Sequence, residues 1–194
     1  MIRRHHCMRI IAGIAKGTPL VAPPSRDVRP TSDRVREAVF SSLGDRVIGA
    51  DVLDLFAGTG ALGLEAASRG AQTVLFLEHS QPALTALYAN IAAFKRHPDT
   101  PTVLTVHAAD VFSELAQLSR DGRVFPLIFA DPPYGHTAQR LLDEPTLPSL
   151  LGNDSRLILE SAKRDTLVPP PPWRLFREAV YGDTRVSFLS REPS

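Results

Sequence analysis

The chain has 194 residues, 43% hydrophobic and 22% charged, with Cys7 as its only cysteine and a net charge of +1. This is the size and balance of one globular domain with a sizeable core. It excludes an intrachain disulfide and a cysteine-based zinc site. No apolar run reaches the ~18 residues that a membrane span needs. The basic start through Cys7 is followed by no apolar stretch of signal-peptide length, so a cytoplasmic location is expected. The six histidines are scattered, His5 and His6 read as a tail feature, and no metal is expected.

Charge is unevenly spread. Residues 1–36 carry eight basic residues and two acidic ones, while the remainder carries 14 basic and 19 acidic. A basic arm on a mildly acidic body suits a phosphate-binding surface, and equally a solvated tail. Within the arm, residues 9–21 read as two short strands around glycine turns, a small hairpin. Pro23, Pro24 and Pro30 make a loop. A helix follows, with Thr31 or Ser32 as N-cap and an apolar stripe through Val35, Ala38, Val39, Ser42 and Leu43. Arg34 and Arg36 fall off that stripe and are expected to face outward.

From residue 51, short apolar runs alternate with amphipathic stretches. The runs are Val52–Phe56, Thr73–Leu77, Val103–Val106, Leu127–Ala130 and Leu157–Leu159. Helices are expected near 61–69, 80–94, 111–119 and 137–150. This alternation predicts a parallel sheet with crossover helices on both faces. After the stiff Pro169–Pro172 connection, Trp173–Tyr181 and Arg185–Ser190 read as strands joined at Gly182-Asp183.

Two motifs carry chemistry. The first, Asp54-Leu55-Phe56-Ala57-Gly58-Thr59-Gly60-Ala61-Leu62-Gly63, runs an apolar strand into a G-x-G-x-x-G turn that opens a helix. The glycines allow a tight turn and close backbone approach to a ligand at the strand's carboxyl end. Glu78 closes the next strand, where a carboxylate can accept ribose hydroxyls. Asp110 follows the third strand, where it can meet an adenine amine or cap the next helix. No Gly-Lys-Ser/Thr follows, which excludes a P-loop. An NAD-binding turn remains compatible with this motif alone.

The second motif, Asp131-Pro132-Pro133-Tyr134, follows the fourth strand. The exocyclic amine of a purine is a poor nucleophile, because its lone pair is delocalised into the ring. The Asp131 carboxylate and the Pro132 carbonyl could each accept one N–H bond, draw the lone pair out of conjugation and aim it at a methyl group. The prolines fix φ and add no competing donors. Tyr134 offers a ring on which a splayed base can stack.

With both motifs in hand, the chain resembles the RsmD family of bacterial 16S rRNA guanine-N2 methyltransferases, class I S-adenosylmethionine-dependent enzymes. The resemblance runs from Met8 over nearly the whole chain. It includes Arg9–Gly13, Arg29-Pro30-Thr31, Arg34–Phe40, Leu64-Glu65-Ala66 and Tyr181–Thr184 besides the two motifs. It implies an α/β, Rossmann-like seven-stranded sheet, mostly parallel with one antiparallel strand in a C-terminal hairpin, plus the small N-terminal β-hairpin and helix. It divides the chain into an RNA-contacting arm, 1–44, and a methyltransferase domain, 45–194. It implies S-adenosylmethionine in a site lined by Asp54, Phe56, Ala57, Gly58, Thr59, Gly60, Glu78, His79, Asp110 and Val111. Asp131, Pro132, Pro133 and Tyr134 would be catalytic. Arg9, Lys16, Arg29, Thr31, Arg34 and Arg36 would hold 16S rRNA of the small subunit or its assembly intermediate, with the protein a monomer. Met1–Cys7 precedes the family's usual start, and residues 135–137 are assigned no role.

Other readings differ in what they explain. An amine methyltransferase acting on DNA adenine or protein glutamine would use the same Asp131 chemistry. An NAD-dependent oxidoreductase would explain Gly58–Gly63 and Glu78 but leave Asp131–Tyr134 idle. A non-catalytic RNA-binding protein on the same fold would leave both motifs idle.

Overall fold

A computed structural model describes residues 8–23, 33–98, 100–133 and 135–192. Seven strands form one sheet: β1 (Asp51–Leu55), β2 (Thr73–Glu78), β3 (Val103–Ala108), β4 (Leu127–Ala130), β5 (Arg156–Ala162), β6 (Trp173–Tyr181) and β7 (Thr184–Arg191). Their order is β3-β2-β1-β4-β5-β7-β6. The pairs among β1 to β5 are parallel, and β7 runs antiparallel to both β5 and β6. The expected single antiparallel strand is therefore β7, inserted between β5 and β6.

Among the described residues, five α-helices accompany the sheet: α1 (Asp33–Leu43), α2 (Ala61–Ser68), α3 (Gln81–Phe94), α4 (Val111–Arg120) and α5 (Thr137–Leu142). Alternate side chains of the strands divide the core into two clusters. Val52, Val74, Phe76, Phe129 and Ile158 pack with α1, α2 and α3, while Leu53, Leu55, Leu75, Ile128 and Leu157 pack with α4 and α5. Both faces are thus covered, as parallel strands require.

Four expectations change in detail. The 9–21 hairpin reduces to one bridge, Arg9–Pro19, closed by bonds such as Ile10 N to Thr18 O at 3.0 Å and Leu20 N to Met8 O at 2.8 Å. Several donors of the segment are used elsewhere: Ile14 N bonds the Ser68 carbonyl at 2.8 Å, and the Ile11, Ala12 and Ala15 amides also reach α2. Helix 137–150 splits into α5 and a 3₁₀ turn, Leu147–Leu150, because Pro145 and Pro148 break the pattern. A 3₁₀ turn over Gly44–Val47, which periodicity does not reveal, follows α1. The proposed N-caps Thr31 and Ser32 lie outside the described residues.

The fourth change corrects a site assignment. Arg36 does not face outward; it is 0% exposed. The buried face of α1 is Val35, Arg36, Val39, Phe40 and Leu43. Phe40 turns the helix inward by packing on Phe129, with ring centroids 5.4 Å apart. Arg36 sits one turn before it. Its Nη2 donates to the Arg9 carbonyl and to Asp33, each at 2.7 Å. A guanidinium placed this way ties the N-terminal segment to α1 and is not available to RNA.

Candidate active site

Order in the sheet reverses between β1 and β4, so the crevice beyond their carboxyl ends is the switch point where such folds bind ligands. The glycine turn lies there. Gly58 and Gly60 have φ of 54° and 77°, a region open to glycine at little cost. Phe56 also has a positive φ, 55°, an unusual state for a bulky residue and one that clusters at functional turns. Its ring packs edge-on to Phe112 at 6.1 Å. Gly63 is needed for packing: a Cβ there would overlap Phe76 and Val74 and sit 2.9 Å from the Asp54 carboxylate.

Asp54 is buried, and its Oδ2 accepts the Gly63 amide at 2.9 Å. It thereby satisfies one of the donors left open at the start of α2. Glu78 is clamped by three amides: Gly58 N to Oε2 at 2.8 Å, and His79 N and Ser80 N to Oε1 at 2.8 and 2.7 Å. A carboxylate has about four acceptor sites, so about one is left for a ligand hydroxyl. Burial pushes the Asp54 carboxyl well above the usual aspartate range; the Gly63 bond opposes this, and the charges of Asp131 and Glu78 add to the rise. Three carboxylates thus act together at Asp54, where a nearby cation would lower the cost of its charge.

The remaining expected residues fall as follows. Ala57 and Thr59 are buried in the turn, and Val111 is buried at the start of α4. His79 is exposed at the rim. Asp110 caps α4, accepting from Ser113 N at 3.1 Å, and stays exposed, so capping is compatible with the ligand role expected of it. Asp131 is half-buried, Pro132 buried and Pro133 exposed. Tyr134, Arg29 and Thr31 lie outside the described residues. Arg9, Lys16 and Arg34 are exposed, and Arg9 also approaches Asp33 at 3.5 Å.

Three residues have roles that the sequence did not assign. Glu65 is fully buried in α2 and accepts Ile11 N at 2.7 Å, Ala12 N at 3.1 Å and Arg69 Nε at 2.7 Å. Ser68 accepts Ala15 N and donates to the Ala12 carbonyl. Asn90 of α3 accepts Val21 N at 2.8 Å and donates to the Val21 and Thr59 carbonyls, each at 2.9 Å. Together they fasten the N-terminal segment to the glycine turn. A signal existed: every residue of α2 is buried, so its polar members Glu65 and Ser68 had to find partners inside the protein. Among the described residues, no helix is long and apolar enough to cross a membrane and no group of His, Cys, Asp or Glu could hold a metal.

Comparison with known proteins agrees with this geometry. The family model described as Conserved hypothetical protein 95 matches residues 8–190. Ribosomal RNA small subunit methyltransferase D of Escherichia coli K12 is 35% identical over 191 residues, covering 95% of this chain and 90% of that protein. The Haemophilus influenzae protein of the same name is 31% identical over 176 residues, covering 90% and 89%. The solved structure of a Thermus thermophilus hypothetical protein superposes with a TM-score of 0.79 at 31% identity, covering 94% and 98%. The chain belongs to the ribosomal RNA small subunit methyltransferase D (RsmD) family.

Proposed function

We propose that this protein transfers a methyl group from S-adenosylmethionine to the N2 amine of a guanine in 16S rRNA of the small ribosomal subunit. The observation that carries the choice of cofactor is the carboxylate rim. Burial raises the Asp54 carboxyl, and the charges of Asp131 and Glu78 beside it raise it further, a setting that suits a sulfonium and ammonium ligand better than a dinucleotide's pyrophosphate. This favours the methyltransferase reading over the oxidoreductase one.

S-adenosylmethionine supplies an electrophilic methyl carbon. Glu78, held by its three amides, receives a ribose hydroxyl, and the open side of Gly58 lets the backbone approach the ligand. Asp110 faces the adenine end. Asp131 and the Pro132 carbonyl each accept an N–H of the guanine amine and direct its lone pair along the line of transfer. Bound here, S-adenosylmethionine would give up its methyl group from sulfur to the amine nitrogen, and Asp131 would receive the proton that the amine loses. Arg9, Lys16 and Arg34, exposed along the arm formed by residues 1–44, contact phosphates around the target, and residues 45–194 hold the chemistry. A monomer acting in the cytoplasm fits this division.

The test is methyl transfer from labelled S-adenosylmethionine to small subunits from cells lacking this protein, with the product nucleoside identified by mass spectrometry. N2-methylguanosine in 16S rRNA is expected. Asp131→Ala should abolish transfer while S-adenosylhomocysteine still binds. Label in another nucleoside, or in no RNA, would contradict the assignment.

A further inference from the structure

β6 is one edge of the sheet, and its register against β7 shifts between Leu175 and Arg177. The irregularity turns two consecutive residues to one face. Phe176 meets the Phe188 ring at 6.2 Å, and the Arg177 guanidinium stands 5.4 Å from the centre of that same ring. In a regular strand they would point to opposite faces. On the other side of Phe176, the Arg156 guanidinium lies 4.9 Å from its ring centre. Arg156 and Arg46 converge on one acceptor, the Asp154 carbonyl, at 3.1 and 3.4 Å. Arg46 and Arg177 are exposed, and Phe176 is 47% exposed despite its size. The acidic residues nearby in the chain are Asp45 and Asp154; Glu178 pairs with Arg185 at 3.5 Å. Partial burial and the neighbouring charge of Arg46 lower the Arg156 pKa, against the pull of Asp154. Crowded cations are relieved by an anion, and guanidinium planes beside an exposed ring are where unpaired bases stack.

The geometry points to a second RNA-contact surface formed by Arg46, Arg156, Phe176 and Arg177, which takes rRNA backbone phosphates and an unpaired base away from the methylated nucleotide. It rests on rRNA being the substrate. Position supports it. Arg156 opens β5 at the amino edge of the sheet, whereas Asp131 follows the carboxyl end of β4. Arg46 lies in the 3₁₀ turn that follows α1, whose first turn carries exposed Arg34.

The test compares wild type, R46Q/R177Q and Phe176→Ala in salt titrations of small-subunit binding and in methyl-transfer kinetics. R46Q/R177Q should flatten the log–log salt slope by about 1 to 2 and raise KM for subunits about tenfold with kcat unchanged. Phe176→Ala should weaken binding about fivefold or more with little change in slope. S-adenosylhomocysteine affinity should match wild type in both variants, since these side chains lie away from the β1–β4 crevice, and R46Q/R177Q should keep the wild-type thermal midpoint. Wild-type slope and KM in R46Q/R177Q would overturn the second surface while leaving the functional reading intact. Absence of rRNA binding by the wild type would overturn both.

Discussion

The two ends of α2 hold buried carboxylates in opposite circumstances. Just past its middle, toward the carboxyl end, Glu65 is completely enclosed and fully answered by two backbone amides and the Arg69 guanidinium, which also lies 4.9 Å from the Phe40 ring centre. At its amino end, Asp54 is equally enclosed but has one amide, with two further carboxylates adding to the cost of its charge. The first end is a finished structural joint. The second is electrostatically incomplete, and a cationic ligand would complete it. Burial of a charge therefore does not mark function by itself; what distinguishes the site is the compensation that is withheld.

The largest stability effect should come from the finished end. Glu65→Ala strands Arg69 and two amides and should cost about 3 kcal/mol, read as a fall in urea midpoint. A shift under about 0.5 kcal/mol would remove the distinction between the two ends. Arg36 and Arg34 of α1 sharpen the same contrast between buried and exposed charge. Arg36→Ala should destabilise by about 2 kcal/mol through loss of its buried bonds to Arg9 and Asp33. Arg34→Ala should leave the midpoint unchanged and reduce the salt slope of RNA binding by about 1. The opposite pattern would restore Arg36 to the RNA surface.

The strands, the glycine turn and the Asp131 motif were legible in the sequence because each is local: an apolar run, a turn chemistry, a residue order. Six of the seven strands lie within two residues of their expected bounds at either end, and β5 runs three residues past its expected end to Ala162. What was not legible depends on contacts distant in sequence. Arg36 looked solvent-facing because Phe40 was left out of the apolar stripe, and the Arg9 carbonyl that receives it is 27 residues away. Glu65, Ser68 and Asn90 bind an N-terminal segment more than 50 residues distant, so helix periodicity alone could not assign them partners. The reduced hairpin at 9–21 has the same origin, since its turn is docked on α2 instead of closing a ladder. The β6 irregularity is a matter of register, which strand propensity does not encode.

Asp54 offers the most direct test of the central claim, that the rim selects a cationic methyl donor. A raised carboxyl pKa means that this group favours the folded state below the ordinary aspartate range and that this contribution is lost as pH rises through the raised value. Asp54→Asn should therefore raise the thermal midpoint at neutral pH and lose the advantage in acid. A bound cation reverses the preference by favouring the ionised carboxylate. Titration of the wild type with S-adenosylmethionine and with NADH across pH should show S-adenosylmethionine binding that tightens as pH rises through the Asp54 transition, weak NADH binding throughout, and no such pH dependence in Asp54→Asn. NADH binding as tightly as S-adenosylmethionine, or a pH dependence that survives the substitution, would contradict the account.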